Sequence, residues 1–259
     1  MKTMLKKTLI CLLSLLFIPT LQIEMHAATE VSWYFKKNSE HKQPTLDSNL
    51  EFINNYNCYY VDKNHGDTCE DKVIYLTFDA GYENGNVEKI LDTLKEKNVQ
   101  GAFFVLGHLI ENNTDLVKRM AAEGHLVCNH TVSHKNMAKV TDSAQFKEEL
   151  TKLEALYKEN IGEEMPKFYR PPEGIFTEDN LKILEEMGYK TVLWSFAYAD
   201  WDNNKQLSPD IAFEKLIAGT HNGEILLLHP TSKTNAEILG KLIDTWRDMG
   251  YRFGTLDEL

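Results

Sequence analysis

From Lys72 onward the chain alternates short β-branched or aromatic runs with stretches of helical period, and few folds accept that pattern. Strand candidates fall at 73–78, 101–105, 125–129, 168–170, 191–195, 225–229 and 251–254. Helix candidates lie between them at 87–97, 115–123, 145–157, 178–187, a stretch opened by Ser208-Pro209, and 235–249. Ile90, Leu91 and Leu94 share a face of the first helix. Thr114 and Thr177 stand as N-caps, and Asp142 with Ser143 leads into the third helix. Gly124, Gly188 and Gly250 follow helix ends, and Pro209 takes the first helical position, where its missing N–H does no harm. Strands and helices in strict alternation predict an α/β fold with parallel strands. Two closures fit, an open doubly wound sheet and a barrel. Periodicity does not separate them.

The placement of polar residues does. Parallel α/β folds carry their chemistry just past the C-terminal ends of the strands. Here Asp79 follows the first strand, His130 and His134 the third, and Arg170 closes the fourth. Asp200 and Trp201 follow the fifth, His229 ends the sixth, and the opposite ends carry little of the kind. Convergence from nonadjacent strands favours a barrel mouth over a single crevice.

Within Asn129-His130-Thr131-Val132-Ser133-His134 two imidazoles stand at i and i+4. On a turn of helix they would face one side, about 5–6 Å apart at Cβ, so that one metal ion bridges them. Such a pair alone reads first as two surface or structural histidines; beside Asp79 at a strand end it reads as a metal site. Asp79 itself is open to three readings: metal ligand, general base, or cap of the next helix. The last loses ground because residues 81–85 intervene and can cap instead. Arg170-Pro171-Pro172 is expected to form a rigid extended loop holding the guanidinium in a bidentate pair with Asp79, or else a surface turn with a solvated arginine. His229 closes an apolar run; near Asp200 its pKa would rise and it would serve as a general acid, and otherwise it is a hydrogen-bonded core residue. Trp194, Tyr198 and Trp201 would line a sugar-binding wall, unless they are core.

Residues 1–28 stand apart from the fold. Lys2, Lys6 and Lys7 precede the apolar run 9–18, and Ala27-Ala28 follow, the order of a secretory signal. The run before Pro19 is short for a bilayer span. Met25 and His26 make a poor cleavage site, which leaves cleaved export and an uncleaved membrane anchor both open. Either outcome sets the body outside the cytosol. Cys11 lies in this segment, and an exported setting permits, without requiring, a Cys58–Cys69 bridge, with Cys128 a buried free thiol. Residues 29–71 are polar and rich in Asn, Lys and Tyr, an irregular lead-in to a domain at 72–259. The charge of −11, from 28 Lys plus Arg against 39 Asp plus Glu, excludes nucleic acid and anionic lipid as main partners. No protein partner is evident, and a monomer is expected.

In order, Thr77-Phe78-Asp79, His130-Thr131-Val132-Ser133-His134, Arg170-Pro171-Pro172, Asp200-Trp201 and Leu227-Leu228-His229 resemble the five motifs of the polysaccharide deacetylases. That family is carbohydrate esterase family 4, the NodB-homology domain. The likeness covers 72–259 and implies a distorted (β/α)7 barrel. Residues 75–85, and Asp200-Trp201 after Trp194-Ser195, are similar to the PdaA-type subgroup, the peptidoglycan N-acetylmuramic acid deacetylases also called delta-lactam-biosynthetic de-N-acetylases. The resemblance implies Asp79 as general base tethered by Arg170, His229 as general acid tuned by Asp200, and His130 and His134 as metal ligands. Leu227 would line the slot for the acetyl methyl, with Tyr82 and Trp201 against the sugar. One departure is Ala80, where most of the wider family carries a second Asp that completes an Asp-His-His site. Two imidazoles plus waters make a weak, open site, suited to Zn²⁺ or Co²⁺ and poor for Mg²⁺. Asp79 or a substrate oxygen would then supply the third ligand.

The activity so implied is metal-assisted removal of the N-acetyl group from muramic residues of peptidoglycan glycan strands, leading to muramic δ-lactam in spore cortex. Deacetylation of N-acetylglucosamine or chitin-like oligomers is the alternative. Ala80 also admits a catalytically dead glycan-binding module, against which Asp79, Arg170 and His229 stand, since a binder has no need of a paired base and acid.

Overall fold

The computed structural model describes residues 29–37 and 40–259, so the expected export signal and its Cys11 lie outside the described residues. Along the chain run β1 (Val31–Ser32), β2 (Cys58–Tyr59), β3 (Lys72–Ala80), α1 (Val87–Glu96), β4 (Ala102–Val105), α2 (Gly107–Asn112), α3 (Thr114–Ala122) and β5 (Leu126–Asn129). There follow α4 (Ser143–Ile161), β6 (Phe168–Tyr169), β7 (Ile175–Phe176), α5 (Glu178–Glu186), β8 (Lys190–Val192), β9 (Phe196–Ala197), α6 (Pro209–Gly219), β10 (Glu224–Leu228), α7 (Lys233–Asp248) and β11 (Tyr251–Phe253). The strands of the main sheet are all parallel, in the order β2-β8-β6-β5-β4-β3-β10-β9, and β11 pairs with the first residues of β3. The sheet curls, but its end strands β2 and β9 do not pair with each other. An isolated antiparallel bridge from Val61 to Glu224 spans part of the gap. The result is the expected distorted barrel, incompletely closed.

Strand alternation sorts β3 between two apolar layers. Ile74, Leu76, Phe78 and Ala80 pack under the helices with Ile90, Leu91, Leu94 and Trp246. Val73 and Tyr75 point into the barrel with Phe104, Cys128 and Ile225. Asp79 continues that inward row, which is why the strand delivers its carboxylate to the mouth.

Several local expectations need correction. The fifth strand splits into β8 and β9, so Asp200 and Trp201 follow β9. α2 was not foreseen; it runs to Asn112, and Asn113 just after it takes the N-cap position of α3, while Thr114 Oγ1 donates back to the Ile110 carbonyl. The lead-in, largely irregular, still contributes β1, paired antiparallel with β7, and β2 at the sheet edge. Cys58, Cys69 and Cys128 are all free thiols, so the permitted Cys58–Cys69 bridge is not formed. Cys58 is spent on packing with Ile53, Tyr60 and Val61. The end opposite the mouth is not poor in titratable groups either, since Asp62, His65, Asp71, Glu224 and Arg252 gather there. Among the described residues no helix is long and apolar enough to cross a membrane.

Candidate active site

Arg170 follows β6 fully buried, its guanidinium over the Phe104 ring at 4.2 Å. Nε donates to the Val192 carbonyl at 3.0 Å, and Nη2 to Thr77 Oγ1 at 2.8 Å and the Leu193 carbonyl at 3.1 Å. That leaves Nη1 for Asp79 Oδ1 at 2.8 Å. The expected bidentate pair is therefore a single hydrogen bond, because Thr77 takes the second prong. The loop after Arg170 is extended only at Pro171; Pro172 opens a 3-10 turn to Gly174. Burial by itself would raise the Asp79 carboxyl, but the Arg170 charge first, and then His130 and His229 when protonated, outweigh it and hold its pKa below the ordinary carboxylate value. Nor does Asp79 cap α1, since Glu83 Oε2 accepts the Val87 N–H at 3.0 Å.

The two histidines meet without a helix. Thr131 (φ 70°) and His134 (φ 57°) both take left-handed backbone, and the segment is a folded loop. Asn129 Oδ1 accepts the Thr131 N–H at 2.9 Å, and Thr131 Oγ1 accepts the His134 N–H at 2.9 Å. Glu149 of α4 pins the loop from outside, taking Ser133 Oγ and Lys135 Nζ at 2.7 Å each. Gly107 pins it from below; a Cβ there would stand 2.7 Å from Val132 Cγ2 and 2.9 Å from the Val132 carbonyl oxygen. The imidazoles end edge to face, centroids 5.0 Å apart.

His130 Nδ1 donates to the Arg170 carbonyl at 2.9 Å, and burial pushes its pKa down to about 4 against the pull of Asp79, so the ring is neutral. Its Nε2 is then a bare lone pair, 3.5 Å from Asp79 Oδ2, with no proton between them. Ligands of a tetrahedral ion at bonds of about 2.0–2.1 Å stand roughly 3.4 Å apart, so this repulsive contact is one that a cation relieves. The donor chemistry fits a metal held by His130 and His134 with Asp79 at hand. Among the described residues no three His, Cys, Asp or Glu side chains converge into a closed site, and Ala80, fully buried toward the helices, adds nothing to it.

Across the mouth, His229 Nδ1 donates to Asp200 Oδ1 at 2.7 Å, while Asp200 Oδ2 accepts the His229 backbone N–H at 2.8 Å. Asn235 of α7 donates to the same oxygen at 2.6 Å and to the His229 carbonyl at 3.1 Å. Burial opposes protonation of the ring, yet Asp200 and then Asp79 win and raise its pKa. The mouth opens as a cleft of ≈ 930 Å³ whose lining includes Asp79, His130, His134 and His229 with Trp194, Tyr198 and Leu227. Tyr82 and Trp201 stand at its edge, Trp201 65 % exposed, and Asn203 donates to the Tyr82 hydroxyl at 2.7 Å. Asp200 lies behind His229, out of the cleft lining.

The structure thus brings all the sequence-nominated residues to one mouth. Sequence reasoning missed Thr77, Gly107, Asn129, Glu149 and Asn235, which hold the others. Thr77 and Asn129 carried a signal, as parts of the first motif and of the histidine run.

A family model described as polysaccharide deacetylase matches residues 66–192. Peptidoglycan-N-acetylmuramic acid deacetylase PdaA of Bacillus subtilis is 39% identical over 231 residues, 88% of this chain and 85% of that protein. A peptidoglycan-N-acetylglucosamine deacetylase of Bacillus cereus is 36% identical over 190 residues, 72% of this chain and 67% of that one. The solved structure of B. subtilis PdaA, a family 4 carbohydrate esterase, superposes with a TM-score of 0.83 at 37% identity, covering 89% of this chain and 96% of that one.

Proposed function

This chain belongs to the polysaccharide deacetylase family, hydrolases of carbon–nitrogen bonds other than peptide bonds, and we propose that its substrate is N-acetylmuramic acid in peptidoglycan. The observation that carries the hydrolytic reading is the pair facing each other across one cleft, Asp79 tethered by Arg170 with its pKa held low and His229 with its pKa raised by Asp200. A divalent ion on His130 and His134, Zn²⁺ or Co²⁺ by ligand type, would supply acidified water and polarisation of the acetyl carbonyl. Asp79 takes a proton from the attacking water, and Arg170 keeps its other oxygen from turning away. As the C–N bond breaks, His229 gives its Nε2 proton to the departing amine, leaving acetate and a free amino sugar. Leu227 shapes the slot for the acetyl methyl, with Tyr82 and Trp201 along the sugar. The freed amine lies on the same residue as a lactyl carboxyl, the two ends that close in muramic δ-lactam of spore cortex.

The match to the muramic deacetylase runs about forty residues longer than that to the glucosamine deacetylase, a margin about the length of the lead-in. This supports muramic over glucosamine units. Action on peptidoglycan sets the enzyme outside the cytoplasm, reached through the signal or anchor at 1–28. The test offers purified enzyme muramic-containing glycan strands and N-acetylglucosamine oligomers side by side, with acetate release and product mass measured. Muramic units should lose the acetyl group; preferential loss from glucosamine units would refute the assignment.

A further inference from the structure

The muramic reading leaves open what in the cleft tells muramic from glucosamine units. The two sugars differ by one substituent, a lactyl ether ending in a carboxylate. We propose that Lys37 pairs with that carboxylate and is the residue that selects muramic units, an inference that rests on the muramic reading above.

Lys37 reaches the mouth because the lead-in is strapped to it. β1 zips antiparallel onto β7, just beyond the turn that follows Arg170. The Trp33 backbone N–H then donates to the Gly174 carbonyl at 2.9 Å, and its indole N–H to the Trp194 carbonyl at 3.0 Å. Gly174 has φ +68°, and a Cβ on it would stand 2.7 Å from the Trp194 ring, so the close stack needs glycine. Beyond Trp33 the side chains alternate. Tyr34 and Lys36 turn outward and both bind Asp47. Phe35 and Lys37 turn the other way and line the cleft, Phe35 packed on Phe196 with centroids 5.7 Å apart.

The charge inventory of the cleft singles Lys37 out. Asp79 is committed to Arg170, His229 to Asp200, and Glu173 on the rim is acidic. Lys36 is spent on Asp47, whereas Lys37 has no ion pair or hydrogen bond among the described residues. In a chain of net charge −11 the long-range field opposes an incoming carboxylate, and Lys37 is the lysine that lines the cleft. A lysine ammonium on a flexible stem suits a mobile lactyl arm.

The test uses two probes, muramic glycan oligomers with the lactyl carboxylate free and the same oligomers with it converted to a methylamide. The readout is the ratio of kcat/KM between the acid and the amide. Wild type should favour the acid, and Lys37→Gln should cut the ratio about tenfold, mainly through KM, because a contact kept from ground to transition state acts on binding. Lys37→Glu should push it lower still, and Lys36→Gln should leave it alone. A merely structural role for Lys37 would depress both probes alike and keep the ratio, which would overturn the inference. So would a wild-type ratio near one. Wild type inert on both probes while active on glucosamine oligomers would bring down the muramic reading together with the inference; muramic activity with an unmoved ratio brings down the inference alone.

Discussion

At the mouth of the barrel Asp79 gives one carboxylate oxygen to Arg170 and keeps the other toward the cleft, whereas at the opposite end Asp62 gives both away. Asp62 Oδ1 accepts the Asn64 N–H at 2.8 Å; Oδ2 accepts the Tyr75 hydroxyl at 2.6 Å and His65 Nδ1 at 2.5 Å. His65 Nε2 continues to Asp71 at 3.1 Å, and Arg252 ties Asp71 to Glu258. That chain fastens the lead-in to β3 and β11. Where atoms there lack partners, as at Glu224 Oε1 and His125 Nε2, they are sealed from solvent. The mouth is built the other way, with its charges held from behind by Arg170, Asp200 and Asn235. Density of titratable residues does not mark the site; atoms left unspent and facing a cleft do.

Changes at the two ends should therefore differ in kind. The largest expected effect is on stability at the mouth. Arg170→Met strands Asp79 beside a buried void of charge and should cost about 3–5 kcal/mol in denaturant unfolding, whereas Arg252→Met, on an exposed pair, should cost under about 1 kcal/mol. Equal losses would erase the contrast. Next, His229→Ala should lower the rate of acetate release on the order of 10²-fold while unfolding stays cooperative. Retained turnover would remove His229 from the chemistry. The smallest effect is a shift in pH profile. Activity that needs protonated His229 falls as pH rises through its elevated pKa, and Asp200→Asn, which removes the elevating partner, should move that limb to lower pH. In stability the same histidine contributes fully below its ordinary value of 6.5, and that contribution is lost as pH rises through the folded value. A limb that stays put in Asp200→Asn would separate Asp200 from the acid.

The strand-end residues of the site were legible because their positions follow from a local rule: a β-branched run stops and a polar residue comes next. Their supports were not. Glu149 meets Ser133 across 16 positions and Asn235 meets Asp200 across 35, contacts that no local pattern encodes. The histidine loop misled for a related reason. A spacing of four suggests a helical turn, and nothing in threonine or histidine announces the left-handed backbone that Asn129 and Thr131 impose by capping the loop. Two residues of β9 and six of α2 are too short for any period to register. β2 was hidden because its partner in β8 lies more than a hundred residues away.

The contrast between the two ends is tested most directly by one paired measurement, acetate release and melting temperature on Asp79→Asn and Asp62→Asn side by side. The account predicts that Asp79→Asn loses on the order of 10²-fold in rate and keeps cooperative unfolding. Asp62→Asn should keep its rate and lose about 1–3 kcal/mol of stability, as a buried acceptor with three donors is weakened. An Asp79→Asn enzyme with near-wild-type turnover, or an Asp62→Asn enzyme crippled in rate but not in stability, would contradict it.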